Sequence, residues 1–161
     1  MMSVKDKFTP EEWRGLLKAP MLAAYAVAGS APSRQEDFTR EMAAVADGIV
    51  EGEQTASKDS LLGAVVADII SNATDGQRGG TEKLSNEDVR ARALETCRAV
   101  ADALDAKAAP GEAYEYKRWV LVVAERVAEA AKEGGLFGFG GAQVSGAEVA
   151  AINDIGEAIR I

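Results

Sequence analysis

The sequence predicts an all-α protein, a single-domain bundle of six or seven helices around a central apolar helix, and three observations carry that expectation. In residues 111–133, apolar side chains at Ala113, Tyr116, Val120, Val123, Val127 and Ala130 alternate steps of three and four along one helical face. Trp119, Leu121, Val122 and Ala124 widen this stripe until the middle of the segment is apolar almost all round, which suits a helix inside a bundle. The second observation is the recurrence of capping signals ahead of apolar periodic runs: Thr9 with Glu12, Ser33 with Glu36, Ser85 with Asp88, and Ser145 with Glu148. The third is that period-two alternation over strand length is confined to residues 137–144.

Taken in order, Phe8-Thr9-Pro10-Glu11-Glu12-Trp13 is the best-defined helix start. Thr9 can cap the Glu12 amide, Pro10 fits the first helical position, and Phe8 and Trp13 can form a hydrophobic staple. Because proline disfavours helical geometry in the residue before it, this helix is expected to break or bend at Ala19, ahead of Pro20. Residues 21–28 then read as a second, largely buried helix ended by Gly29. The next helix, opened by Ser33 and stopped by Gly52, buries Phe38, Met42, Val45 and Ile49. Residues 57–71 follow with Leu61, Leu62, Val65, Val66, Ile69 and Ile70 as a double-width stripe. Residues 72–83, polar and holding Gly76, Gly79 and Gly80, read as a mobile loop. A longer helix from Ser85 has Val89, Ala93, Cys97, Val100 and Leu104 on its core face. The last helix, launched at Val144-Ser145, buries Ile152, Ile155 and Ile159. Short connections predict that neighbouring helices pack antiparallel.

Composition narrows the function classes. A chain of 161 residues, 47% hydrophobic, can bury a core without disulfides or metals. Its 18 Lys+Arg against 26 Asp+Glu give a net charge of −8 and no basic run, so a nucleic-acid partner is not expected. The lone Cys97 agrees with a reducing compartment. The N-terminal residues lack the apolar core of a signal peptide, and no apolar run approaches the roughly 20 residues of a bilayer span. The expectation is a cytoplasmic protein without a transmembrane segment.

The absence of histidine removes Ser-His-Asp and Cys-His catalysis and the Glu-x-x-His pairs of di-iron bundles. A carboxylate site built from Glu125, Glu129 and Asp68 is the remaining metal option. A solvated face is the better reading, since Glu125 and Glu129 share a polar stripe with Glu115, Arg118 and Lys132. No metal and no cofactor is therefore expected, and Cys97 reads as an inert core thiol.

The glycine-rich loop is the one feature that invites a function. It holds Leu136, Phe137, Gly138, Phe139, Gly140 and Gly141, with Ser145 heading the next helix, whose free amides favour anions. The loop follows a helix rather than a strand, Gln143 stands where a third glycine belongs, and no Lys-Ser/Thr pair follows Gly140. Three readings stay open. The favoured one has glycine turns tucking Leu136, Phe137 and Phe139 onto the bundle; the others are an exposed partner or membrane contact and a small-ligand pocket beneath residues 134–144.

The Phe8–Trp13 motif, followed by Leu16-Leu17 and Ala19-Pro20, together with Glu133-Gly134-Gly135-Leu136-Phe137-Gly138-Phe139-Gly140-Gly141 and Val144-Ser145, resembles a group of small bacterial all-helical proteins to which no reaction is assigned. The resemblance implies a bacterial, cytoplasmic, all-α protein and carries over no functional residue. The function expected is a non-catalytic interaction or structural role, with a homo-oligomer or another protein as partner; the alternative is a small-ligand binder.

Overall fold

The computed structural model describes residues 2–30, 35–74, 85–133 and 146–161, the side chains of 35–38, 74 and 131–133 excepted. Within them the chain forms a short 3-10 turn at Val4–Lys7 and the helices α1 (Pro10–Ala28), α2 (Gln35–Thr55), α3 (Leu61–Thr74), α4 (Asn86–Lys107), α5 (Pro110–Glu133) and α6 (Gly146–Ile159). The fold is an all-helical bundle, and no strand occurs among the described residues.

The stripe read on α5 is its buried face: Ala113, Tyr116, Val120, Val123 and Val127 are buried, as are Trp119, Leu121 and Ala124. α5 touches every other helix, and α1 does the same, so the centre of the bundle is a pair. α4 lies mainly on α1, α2 mainly on α5, and α6 mainly on α4. Successive helices such as α1 and α2, or α4 and α5, barely meet. Apolar faces rather than short connections therefore decide the neighbours.

Four local expectations change. First, α1 runs uninterrupted through Pro20. Proline has no amide hydrogen, so the carbonyl four residues earlier, Leu16, loses its usual helical partner. The Tyr116 hydroxyl of α5 donates to that carbonyl at 2.7 Å inside the core, and the helix continues. Second, Gly52 does not stop α2, which extends to Thr55. Gly48 and Gly52, one turn apart, are the surface on which Trp119 lies: a Cβ at Gly52 would stand 2.7 Å from Trp119 Nε1, and one at Gly48 would stand 3.1 Å from Val123. The Trp119 indole donates to the Gly48 carbonyl at 3.1 Å.

Third, α3 begins at Leu61 rather than near residue 57, because Ser60 diverts the chain into a turn. Its amide and hydroxyl both donate to the Ser57 carbonyl, at 3.0 and 2.6 Å. The same hydroxyl accepts the Gly63 amide at 3.1 Å, as an N-cap does. Fourth, residues 72–74 belong to the end of α3; the rest of the expected loop, 75–83, lies outside the described residues.

The other starts agree with the pattern. Thr9 caps the Glu12 amide at 3.1 Å while the Glu12 carboxylate accepts the Thr9 amide at 2.8 Å. Phe8 and Trp13 pack with ring centroids 5.9 Å apart. Ser85 caps the Asp88 amide of α4, where Ala93, Cys97, Val100 and Leu104 are buried and Val89 is half-buried. The Ser33 cap and the Phe38 side chain lie outside the described residues.

Candidate functional site

Leu136, Phe137, Gly138, Phe139, Gly140, Gly141 and Ser145 all lie outside the described residues, and so does the pocket expected beneath residues 134–144. The described helices on either side are α5, ending at Glu133, and α6, beginning at Gly146.

The other sequence candidates are placed. Asp68, on α3, accepts the Lys5 ammonium at 2.7 Å and the Trp13 indole N–H at 2.9 Å, while the same ammonium stands 5.6 Å from the Trp13 ring centroid. Partial burial pushes the Asp68 carboxyl up, but the hydrogen bonds from Lys5 and Trp13 outweigh it and hold the group below its usual range. Asp68 thus ties the 3-10 turn and α1 to α3. Glu125 is half-buried and Glu129 exposed on α5. Among the described residues no group of three or more acidic or cysteine side chains converges as a metal site would require. Cys97 is fully buried, and burial pushes its thiol up to about 11, which suppresses the thiolate on which reactivity depends.

Described residues form an open groove of about 460 Å³ between α4 and α6. Leu94 and Ala158 supply its apolar part, and Arg98, Asp154, Glu157 and Arg160 its charges. Much of that charge is already compensated. Arg160 forks between Asp102 and Asp105 of α4, the latter at 2.8 Å, and Arg90 pairs with Asp154. Asp105 also receives the ammonium of Lys117 at 3.0 Å, and its carboxyl is held below the usual range by the hydrogen bonds from Lys117 and Arg160.

Lys117 is a feature the sequence reading missed. It is buried although charged, standing on the α5 face between Ala113 and Val120. A lysine four residues past a core alanine and three before a core valine was the available signal. Glu41 and Glu148 are buried as well, and each has an interaction partner.

The arrangement joins helices. The large polar side chains at the helix contacts each serve another element: Tyr116 the Leu16 carbonyl, Trp119 the Gly48 carbonyl, Trp13 the Asp68 carboxylate, Lys117 the Asp105 carboxylate. No helix among the described residues is long and apolar enough to cross a membrane. No protein-family model matches the chain, and neither a curated protein nor a solved structure does.

Proposed function

We propose that this is a non-catalytic helical-bundle protein of the bacterial cytoplasm that acts by contact, with a second copy of itself or with another protein. The observation that supports this is the commitment of the polar groups at the helix contacts to other helices. Catalysis needs an acid, base or nucleophile turned toward a substrate. Here the Tyr116 hydroxyl, the indoles of Trp13 and Trp119 and the Lys117 ammonium are each turned toward a neighbouring element. A fully buried free thiol suits a reducing compartment. The bacterial setting rests on the resemblance of the two end motifs.

Light scattering on the eluting protein across a wide range of loading concentrations tests the self-contact form of the proposal. A mass that climbs from monomer toward dimer is the expected result. A monomer at every concentration, combined with a thermal stabilisation by a small metabolite in a screen, would turn the assignment over to a ligand-binding protein.

A further inference from the structure

We infer that α6 is the releasable helix of the bundle, undocking as a unit from α1, α4 and α5 while those remain folded. Three features of α6 point the same way. Its large, fully buried side chains are Ile155 and Ile159; Ile152 is only partly buried against the core, and Glu148, Ala151, Gly156 and Ala158 complete the buried face. On α5, by contrast, Tyr116, Trp119, Val120, Leu121, Val123 and Val127 are all buried.

The second feature is Gly156, in the last turn of α6, a helical position at which glycine is a poorer residue than alanine. Close packing does not demand it: an added Cβ would meet nothing nearer than 3.9 Å, at Leu121 and the Ile161 carbonyl. This differs from Gly52 and Gly63, where a Cβ would stand 2.7 and 2.1 Å from its nearest neighbour. At position 156 an alanine would fit and would strengthen the helix.

The third feature is the C-terminal turn. The Ile161 amide donates to the Gly156 carbonyl at 3.1 Å and the Arg160 amide to the Glu157 carbonyl at 3.3 Å, which together make a Schellman cap. That cap places residue 160 in the left-handed region, where glycine is usual, and Arg160 occupies it at φ 65°. It is the one non-glycine residue among the described ones with positive φ. What holds its side chain is a pair of exposed carboxylates, and exposed ion pairs stabilise weakly. α6 is thus weakened twice in its last turn, at Gly156 and at Arg160, where the fold does not require it. The inference stands whether or not the bundle self-associates.

Hydrogen exchange of the full chain, followed by mass spectrometry through a series of sub-denaturing urea concentrations, tests it. The α6 amides should exchange together, faster and with a smaller urea dependence than the slowest amides of α1 and α5. Gly156→Ala should slow exchange in α6 about fivefold. Two results would overturn the inference in the wild type: α6 amides that exchange with the slowest of α1 and α5 at the same urea dependence, or exchange graded inward from the helix ends as fraying gives. An unchanged α6 in the Gly156→Ala protein would overturn it too.

Discussion

The contact of α1 with α5 and the contact of α4 with α6 join helices in opposite ways. Between α1 and α5 the decisive bond is buried and directional, one hydroxyl meeting one carbonyl, and both groups are out of reach of water. Between α4 and α6 the polar links are exposed ion pairs, Arg90 with Asp154 and Arg160 with Asp102 and Asp105. The first kind is costly to lose, because whichever partner remains is left buried and unsatisfied. The second kind is cheap to lose, because water takes over the freed charges. A bundle built with both has a firm centre and a loosely held side.

Breaking the centre should have the largest effect. Tyr116→Ala removes a fully buried ring and its hydroxyl together, and is expected to lower stability by about 3–5 kcal/mol in chemical denaturation. Tyr116→Phe isolates the hydroxyl and should cost about 1–3 kcal/mol, because the Leu16 carbonyl is then left without a donor. Position 20 sharpens that test. In a Pro20→Ala background residue 20 regains an amide hydrogen for Leu16, so the same Tyr116→Phe change should cost distinctly less. Equal costs in the two backgrounds would separate the hydroxyl from the proline.

On the loosely held side, Arg90→Ala should shift stability by no more than about 1 kcal/mol, its pair with Asp154 being roughly 40% exposed on both partners. Acid should act on this side as well. The folded-state pKa of Asp105 lies below its ordinary 3.8, so its stabilising contribution is complete above about pH 4 and is lost as pH falls through the depressed value. Tyr116 has no part in that loss, since burial moves its hydroxyl well above the usual tyrosine range. Urea midpoints that fall in acid for the wild-type protein and fall less for Asp105→Asn would agree. Identical acid profiles would remove Asp105 from the account.

The features the sequence revealed are those decided within one or two helical turns. Thr9 and Ser85 cap their helices as their spacing from Glu12 and Asp88 requires, and the three-four alternation of α5 marks its buried face. The start of α3 is misread through a local turn at Ser60, but Pro20 and Gly52 are misread because their meaning comes from a distant partner. Pro20 reads as a break because proline disfavours helical geometry at Ala19, and the donor that serves the Leu16 carbonyl stands 100 residues away. Gly52 reads as a stop because glycine usually ends a helix, whereas here it makes room for an indole from α5. Lys117 goes unread, and the partner of its buried ammonium is an aspartate on α4. The candidate loop at Leu136–Gly141 was visible in the sequence by composition, but its glycines admit too many backbone shapes for spacing to choose among them.

The bond from Tyr116 to Leu16 also bears on how the chain matures. At the usual 5–20 residues per second of synthesis, the 100 residues between the two partners correspond to an interval on the order of 5–20 s. Throughout it α1 exists without the donor that completes its middle turn, and water must serve that carbonyl instead. That carbonyl therefore gains its internal partner only when α5 reaches it and drives the water out. α1, made before the other described helices, is completed only once α5 has been made.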